Sequence, residues 1–315
     1  MPDRLPNFLL AGVPKSGTSS MHSYLRGHPQ IYLPDRKELH YFTHDLLAEC
    51  LEGPGDRQVW ERTVATLDEY KSFYSGAGSE PIVGESSPSY AYFHQAIPRI
   101  LERLGDDLRV LIMIRNPIKR AHSTYVHMVT NQRETLSFHD SIMKEAQRKT
   151  QGYGDFWRYA EHGLYSQPIE AWIKAIGRDN LKVILLEEFN SDNEAVFAEL
   201  LSWLGIDSTY RPGDLGAAYG HTGTARNKAL KSALNSAASF AVTVKRMLPS
   251  SLYLRAKRLN ATLNRANTSR ADFPIEDRTW EHLSDYFRED LLLTGELIGK
   301  DLRGWLDKAQ LGVGS

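Results

Sequence analysis

The chain has 315 residues, 41% hydrophobic and 24% charged, the balance of a folded globular protein rather than a disordered one. Its 38 Lys+Arg nearly cancel 39 Asp+Glu, so overall charge makes no case for a nucleic-acid partner. The lone cysteine, Cys50, excludes an intrachain disulfide and a multi-cysteine zinc site. No run approaches the ~20 apolar residues of a spanning helix, and residues 8–13 are too short for a signal-peptide core, which together read as a reducing, cytoplasmic compartment.

Residues 8–13 form a short apolar run that ends in Gly and Pro, the pattern of a buried strand. Residues 18–26 turn helical, with Met21, Tyr24 and Leu25 on one side. A helix is expected over 67–74 and a second strand over 81–85. Residues 108–115 are the clearest buried strand, and Asn116 and Pro117 then cap and open a helix over 118–129. Another helix is expected over 164–176, a strand over 181–186 and a helix over 195–204. Strands that are continuous apolar runs, alternating with helices, predict an α/β fold: a central parallel sheet with helices on both faces, in the P-loop-like three-layer manner. The last third reads as helical, without strand signals. Between Leu215 and Ala271 it carries ten Lys/Arg and no Asp or Glu, a sharp asymmetry under a near-neutral total. One domain over 1–315 is expected, with a nucleotide-binding core at 7–215, a basic helical lid or substrate region at 216–271 and C-terminal helices at 272–315.

Lys15, Ser16, Gly17, Thr18, Ser19 and Ser20 lie between the first strand and the first helix, where α/β folds hold phosphates on backbone N–H groups and a helix N-terminus. Gly12 and Gly17 match G-x-x-x-x-G. A nucleotide triphosphatase would then need Lys at 18 and Ser or Thr at 19, but Thr18 and Ser19 stand there and the lysine has moved to 15. No strand ends in the Asp that would hold magnesium; the best candidate ends in Arg115. Arg115 can fork onto a phosphate, and Ser123, two turns into the following helix, can reach the same group. The plainer alternative for Arg115 is a structural salt bridge. Two anion sites on neighbouring strand ends suggest a nucleotide phosphorylated at both ends.

Residues 13–20 resemble the 5′-phosphosulfate loop of sulfotransferases that use 3′-phosphoadenosine 5′-phosphosulfate (PAPS), and 115–123 resemble their 3′-phosphate motif, carried by an Arg and a Ser at this separation. Gly163-Leu164-Tyr165, ahead of Trp172, resembles a further segment of that family, and Thr222, Gly223, Arg226 and Asn227 occupy the place of its late nucleotide-closing loop, though without the Arg-Lys-Gly form of the cytosolic animal enzymes. The resemblance covers roughly residues 7 to 230 and is nearest to bacterial and glycosaminoglycan sulfotransferases. It implies PAPS as donor, no metal, and Tyr165 and the late loop as donor contacts.

Sulfuryl transfer needs a base for the acceptor proton and positive charge for the leaving phosphate. Lys15 is placed for the second task. Lys37-Glu38-Leu39-His40-Tyr41-Phe42 resembles the Lys-Glu-x-His-Phe-Phe motif of glycosaminoglycan sulfotransferases, whose glutamate is the general base, with Tyr41 in place of the first aromatic. Read as extended, this segment turns Glu38 and His40 to one side. Glu38 is the expected base and His40 the runner-up, against a plainer reading of Glu38 as a carboxylate paired with Lys37 or Arg36. Residues 85–90 are expected to line an acceptor pocket. The acceptor is left open among carbohydrate, lipid and small molecule. The basic stretch is either a pair of packed helices or a lid that gathers an anionic acceptor or surface. The rivals are a P-loop nucleotide kinase or phosphotransferase, and a catalytically inactive nucleotide-binding protein.

Overall fold

The computed structural model describes residues 4–216, 224–225, 268–269 and 273–308. Five strands, β1 (Phe8–Gly12), β2 (Ile31–Tyr32), β3 (Ile82–Ser86), β4 (Arg109–Ile114) and β5 (Leu181–Leu185), pair in the order β2-β3-β1-β4-β5. Every pairing is parallel. Every residue of β1 and β3 is buried, as expected of strands covered on both faces. Leu10, Leu111, Met113 and Ile184 pack with Met21 and Leu25 of the helix Thr18–Arg26 and with Phe197, Leu200 and Leu201 of the helix Asn193–Trp203. Leu9, Val110 and Ile112 alternate with them along the strands and point to the opposite face. Each fully buried side chain of this kind contributes about 1.5–3 kcal/mol.

The helices begin where their capping chemistry allows. Thr66 accepts from the Glu69 N–H ahead of the helix Leu67–Ser72. Asp192 accepts from Ala195 N–H at 3.0 Å to open Asn193–Trp203. Asn116 Oδ1 accepts from Lys119 N–H at 3.0 Å to open Pro117–Thr130, with Pro117 in the first turn. The helix Ser166–Ile176 is capped from outside: Asp290, on the long helix Asp277–Ile298, accepts from the N–H groups of Tyr165 (2.7 Å) and Ser166 (3.1 Å) and from the Ser166 hydroxyl (2.5 Å). That long helix and the short 3-10 turn Arg303–Leu306 are the described helical parts of the expected C-terminal region.

Thr224–Ala225 pairs antiparallel with Thr268–Ser269. The sequence shows no strand signal in this third, because two-residue strands are too short to carry a period. The chain divides into two compact units, one of Met1–Tyr125, Leu136–Gly220 and Ile275–Ser315, the other of Val126–Thr135 and His221–Pro274. Among the described residues no helix is long and apolar enough to cross a membrane.

β1 lies at the centre, flanked by β3 on one side and β4 on the other. The chain leaves β1 for the β2 edge and later crosses back to β4. The carboxyl ends of β1, β3 and β4 therefore border a switch point, the usual ligand crevice of an open parallel sheet.

Candidate active site

The loop after β1 turns on two left-handed residues, Lys15 (φ 69°) and Gly17 (φ 89°). Gly17 is the residue before the first helix, and it presses against the helix Leu186–Ser191. A Cβ built there would meet Leu186 Cδ1 at 2.8 Å. The helix Thr18–Arg26 has no side-chain cap hydrogen bond and no acidic residue in its first turn, so its amide dipoles face the loop. The Ser16 hydroxyl is fully buried and has no hydrogen-bond partner among the described residues. An orphaned donor, a bare helix N-terminus and a half-buried lysine together suit an anion. Burial, then the charges of Arg115 and Lys37, bring the Lys15 ammonium down to about 8, against a smaller upward pull from Glu38.

Arg115 follows β4 directly, and its Nη1 donates to the Lys15 carbonyl at 3.4 Å, which ties the two expected phosphate sites together. Burial lowers its pKa, and Glu187 opposes that. Glu187, after β5, also accepts from Asn116 N–H at 3.0 Å, the structural role expected of a strand-end carboxylate. The buried Tyr165 hydroxyl donates to the Arg115 carbonyl at 2.7 Å, so Tyr165 braces Arg115 from behind. Asn116, fully buried, donates through Nδ2 to the Trp305 carbonyl at 2.5 Å. Ser123 is half-buried on the helix Pro117–Thr130. Thr222, Gly223, Arg226 and Asn227, with the basic stripes around them, lie outside the described residues.

The segment after β2 is not extended as expected. Glu38 (φ 61°) and His40 (φ 53°) are both left-handed. The end of β3 imposes this: Glu38 N–H donates to the Ser86 carbonyl at 2.7 Å, and His40 N–H to Ser87 Oγ at 3.0 Å. The His40 ring bonds through Nδ1 to Ser89 Oγ at 2.7 Å. Burial lowers its pKa, with Glu38 and Asp155 pulling upward, so the ring is held neutral. Glu38 is ion-paired with Lys37, in line with its plainer reading, yet Lys37 Nζ also donates to Ser19 Oγ at 2.8 Å. One ammonium thus links the phosphate loop to the expected base. Sequence reasoning treats Lys37 only as a partner for Glu38, and its position next to Glu38 is the available signal. Residues 85–90 do not form an open pocket wall: Glu85, Ser86, Ser87, Ser89 and Tyr90 are buried and bond to one another and to residues 38–43. A carboxylate at a buried strand end must be satisfied internally, and Glu85 takes the neighbouring hydroxyls.

Lys15, Glu38 and His40, the residues that the sequence singles out for the chemistry, are three of the four non-glycine residues with left-handed backbone among the described residues. Such conformations cost about 1–3 kcal/mol each and persist where surrounding structure enforces them, most often at functional sites.

A family model described as "Sulfotransferase domain" matches residues 5–243. The chain belongs to this family. Among similar proteins, human heparan sulfate glucosamine 3-O-sulfotransferase 6 is 26% identical over 206 residues, covering 64% of this chain and 53% of that protein. Mouse carbohydrate sulfotransferase 15 is 20% identical over 246 residues, covering 64% of this chain and 44% of that protein. The chain thus spans about half the length of the curated relatives it matches. A crystal structure of a sulfotransferase from Alicyclobacillus acidocaldarius superposes with a TM-score of 0.74 at 29% identity, over 96% of this chain and 100% of that one. Family membership sets sulfuryl transfer ahead of the phosphotransferase alternative.

Proposed function

We propose that this sulfotransferase moves a sulfonate group from PAPS to a hydroxyl or amine, with a carbohydrate the first acceptor class to test. The observation that carries the reading is the convergence of Lys15, Glu38 and His40, each on an enforced left-handed backbone, around neighbouring strand ends. PAPS supplies an activated sulfur whose bond to the bridging phosphate oxygen breaks as the acceptor oxygen or nitrogen attacks. Lys15, with the helix N-terminus behind it, meets the charge that grows on the departing phosphate. Glu38 takes the acceptor proton once Lys37 turns from the carboxylate toward the donor's charge. Neutral His40, fixed through Ser89, orients the acceptor. Arg115, braced by Tyr165, holds the 3′-phosphate with Ser123, and Ser16, Gly17, Thr18, Ser19 and Ser20 wrap the 5′ side. Thr222, Gly223, Arg226 and Asn227 are assigned to closure over the nucleotide by family resemblance. The carbohydrate assignment is supported by the names of the relatives above.

The test is mass spectrometry of an acceptor panel incubated with isotopically labelled PAPS: heparan-type oligosaccharides, glycolipids and small alcohols. Label transferred to at least one acceptor, together with release of 3′,5′-adenosine bisphosphate, is the expected result. Tight bisphosphate binding with no transfer to any acceptor would support the inactive binding protein instead. Turnover with ATP and magnesium but not with PAPS would overturn the reading.

A further inference from the structure

The carboxylate of Glu85 is 1% exposed and accepts from three hydroxyls. Ser87 Oγ donates to Oε1 at 2.6 Å, Tyr90 Oη to the same oxygen at 2.6 Å, and Tyr70 Oη to Oε2 at 2.5 Å. A hydroxyl has one proton, so each of these three has spent its own on Glu85. What remains on Ser87 and Tyr90 is accepting capacity, and both use it on the same short segment. Ser87 Oγ accepts from His40 N–H at 3.0 Å, and Tyr90 Oη from Phe42 N–H at 3.4 Å. The third arm arrives by packing: the Tyr70 ring stacks on Tyr41, centroids 4.6 Å apart and planes 19° from parallel. Three arms from one carboxylate thus reach three consecutive residues, 40, 41 and 42, beside the left-handed turn at Glu38 and His40.

We propose that Glu85 is a positioning residue for the catalytic segment: as an acceptor-only carboxylate it fixes the direction of three hydroxyl arms, and these arms hold residues 38–42 in the turn that aims Glu38 and His40. The proposal rests on the reading of Glu38 and His40 as the groups that meet the acceptor. Among the described residues the Glu85 carboxylate bonds to Tyr70, Ser87 and Tyr90 and to none of residues 13–20, so its loss acts on the acceptor side of the site and leaves donor binding in place. A side chain with no acceptor in its place frees all three hydroxyls at once, whereas an amide with its oxygen toward Ser87 and Tyr90 would reverse only the Tyr70 arm.

Three readouts on the full chain test this. In Ser87→Ala, hydrogen exchange at the His40 amide should speed up ~5–10-fold, the scale of one lost hydrogen bond, while Ser87→Thr, which keeps the hydroxyl, should restore it. In Glu85→Leu, which removes both acceptor oxygens, the His40 and Phe42 amides should both lose protection. Calorimetry should give 3′,5′-adenosine bisphosphate affinities within about twofold of wild type in all three variants, less than the loss of one hydrogen bond to the nucleotide would cause. With labelled PAPS and an active acceptor, Ser87→Ala and Glu85→Leu should lower kcat by up to ~10²-fold, the scale of a misplaced reacting group, with the donor KM unchanged. If Glu85→Leu does not fold, Ser87→Ala against Ser87→Thr, with Tyr90→Phe for the second arm, tests the same two arms from their other end. Unchanged protection at His40 in Ser87→Ala, or equal losses of kcat and bisphosphate affinity, would overturn the proposal. Exchange is read without turnover, so failure of the sulfuryl-transfer reading would show separately, as absent label transfer with the exchange pattern intact.

Discussion

At the level of single residues, charge and backbone strain meet on the same side chains. Lys15 is pressed down to about 8 by burial and by Arg115 and Lys37. In the ligand-free site it is therefore charged below pH 8 and loses its proton as pH rises through that value. A bound phosphate favours the ammonium and pulls its pKa back up. Binding of 3′,5′-adenosine bisphosphate should then take up a proton between about pH 8 and the ordinary lysine value near 10.4, and affinity should fall as pH rises through that window. Calorimetry in two buffers of different ionisation enthalpy reads the uptake directly; binding at about pH 9, inside that window, with no proton uptake would contradict it. Lys15→Ala should lower kcat by at least ~100-fold, the scale for one lost charge-stabilising donor, and weaken bisphosphate binding less. Arg115→Ala should cost about 1.5–3 kcal/mol of binding for 3′-phosphorylated nucleotides and little for a 5′-monophosphate, and an equal loss for both would remove it from the 3′ site. Glu38→Gln keeps the shape and removes the base, for an expected ~10²–10⁴-fold fall in kcat with donor binding intact. If His40→Ala gives that phenotype and Glu38→Gln does not, the two roles are reversed.

At the level of elements, helices act on the site from behind. Asp290 caps the helix Ser166–Ile176 from another helix, and Tyr165, held at that cap, braces the Arg115 carbonyl. Asp290→Ala should cost about 0.5–2 kcal/mol, the range for losing a cap, seen as a lower Tm. It should also weaken 3′-phosphate binding, which a purely local cap would leave alone. Gly163 sits just before that cap, where an added Cβ would lie 2.6 Å from Phe287 and 2.8 Å from Pro117, so the backbone approach itself requires glycine. Much of this level was legible in the sequence. Apolar runs marked β1, β3, β4 and β5, and Asn116-Pro117 marked a helix start, because burial on both faces and capping both leave local signatures. β2 is two residues long and left none. The turn from β1 into the helix Thr18–Arg26 was legible for the same reason: strand end, glycines and helix start follow one another along the chain. The left-handed turn at Glu38 and His40 was not, because Ser86 and Ser87, which impose it, lie nearly fifty residues away. Nor was the external cap on Ser166–Ile176, whose Asp290 is supplied from 124 residues further on.

For the molecule as a whole, every strand pairing in the five-stranded sheet is parallel, so no two neighbours there can be joined by a hairpin and each contact in the sheet is long-range. Such topologies are slow to assemble, because loop closure must be met before the paired strands return any stability. The far end of the chain takes part as well. Lys300 pairs with both oxygens of Glu188 at 2.5 and 2.6 Å, and Trp305 receives the Asn116 amide. Asn116 is the residue after Arg115 and the cap of the helix that carries Ser123. Truncation after residue 299 should therefore lower bisphosphate affinity even where the sheet survives, and loss of 3′-phosphate discrimination in that variant is the measurement to make. The bond between Asn116 and Trp305 spans 189 residues and gives the site a place in time. Synthesis proceeds from the loop after β1 to Arg115 and Asn116 long before it reaches Trp305, whose carbonyl holds Asn116. A nascent chain stalled short of that point carries the loop's lysine and glycines without the bond that holds Asn116, the residue after Arg115. A chain interrupted before residue 305 therefore lacks the anchor beside Arg115, whatever else of it has already folded.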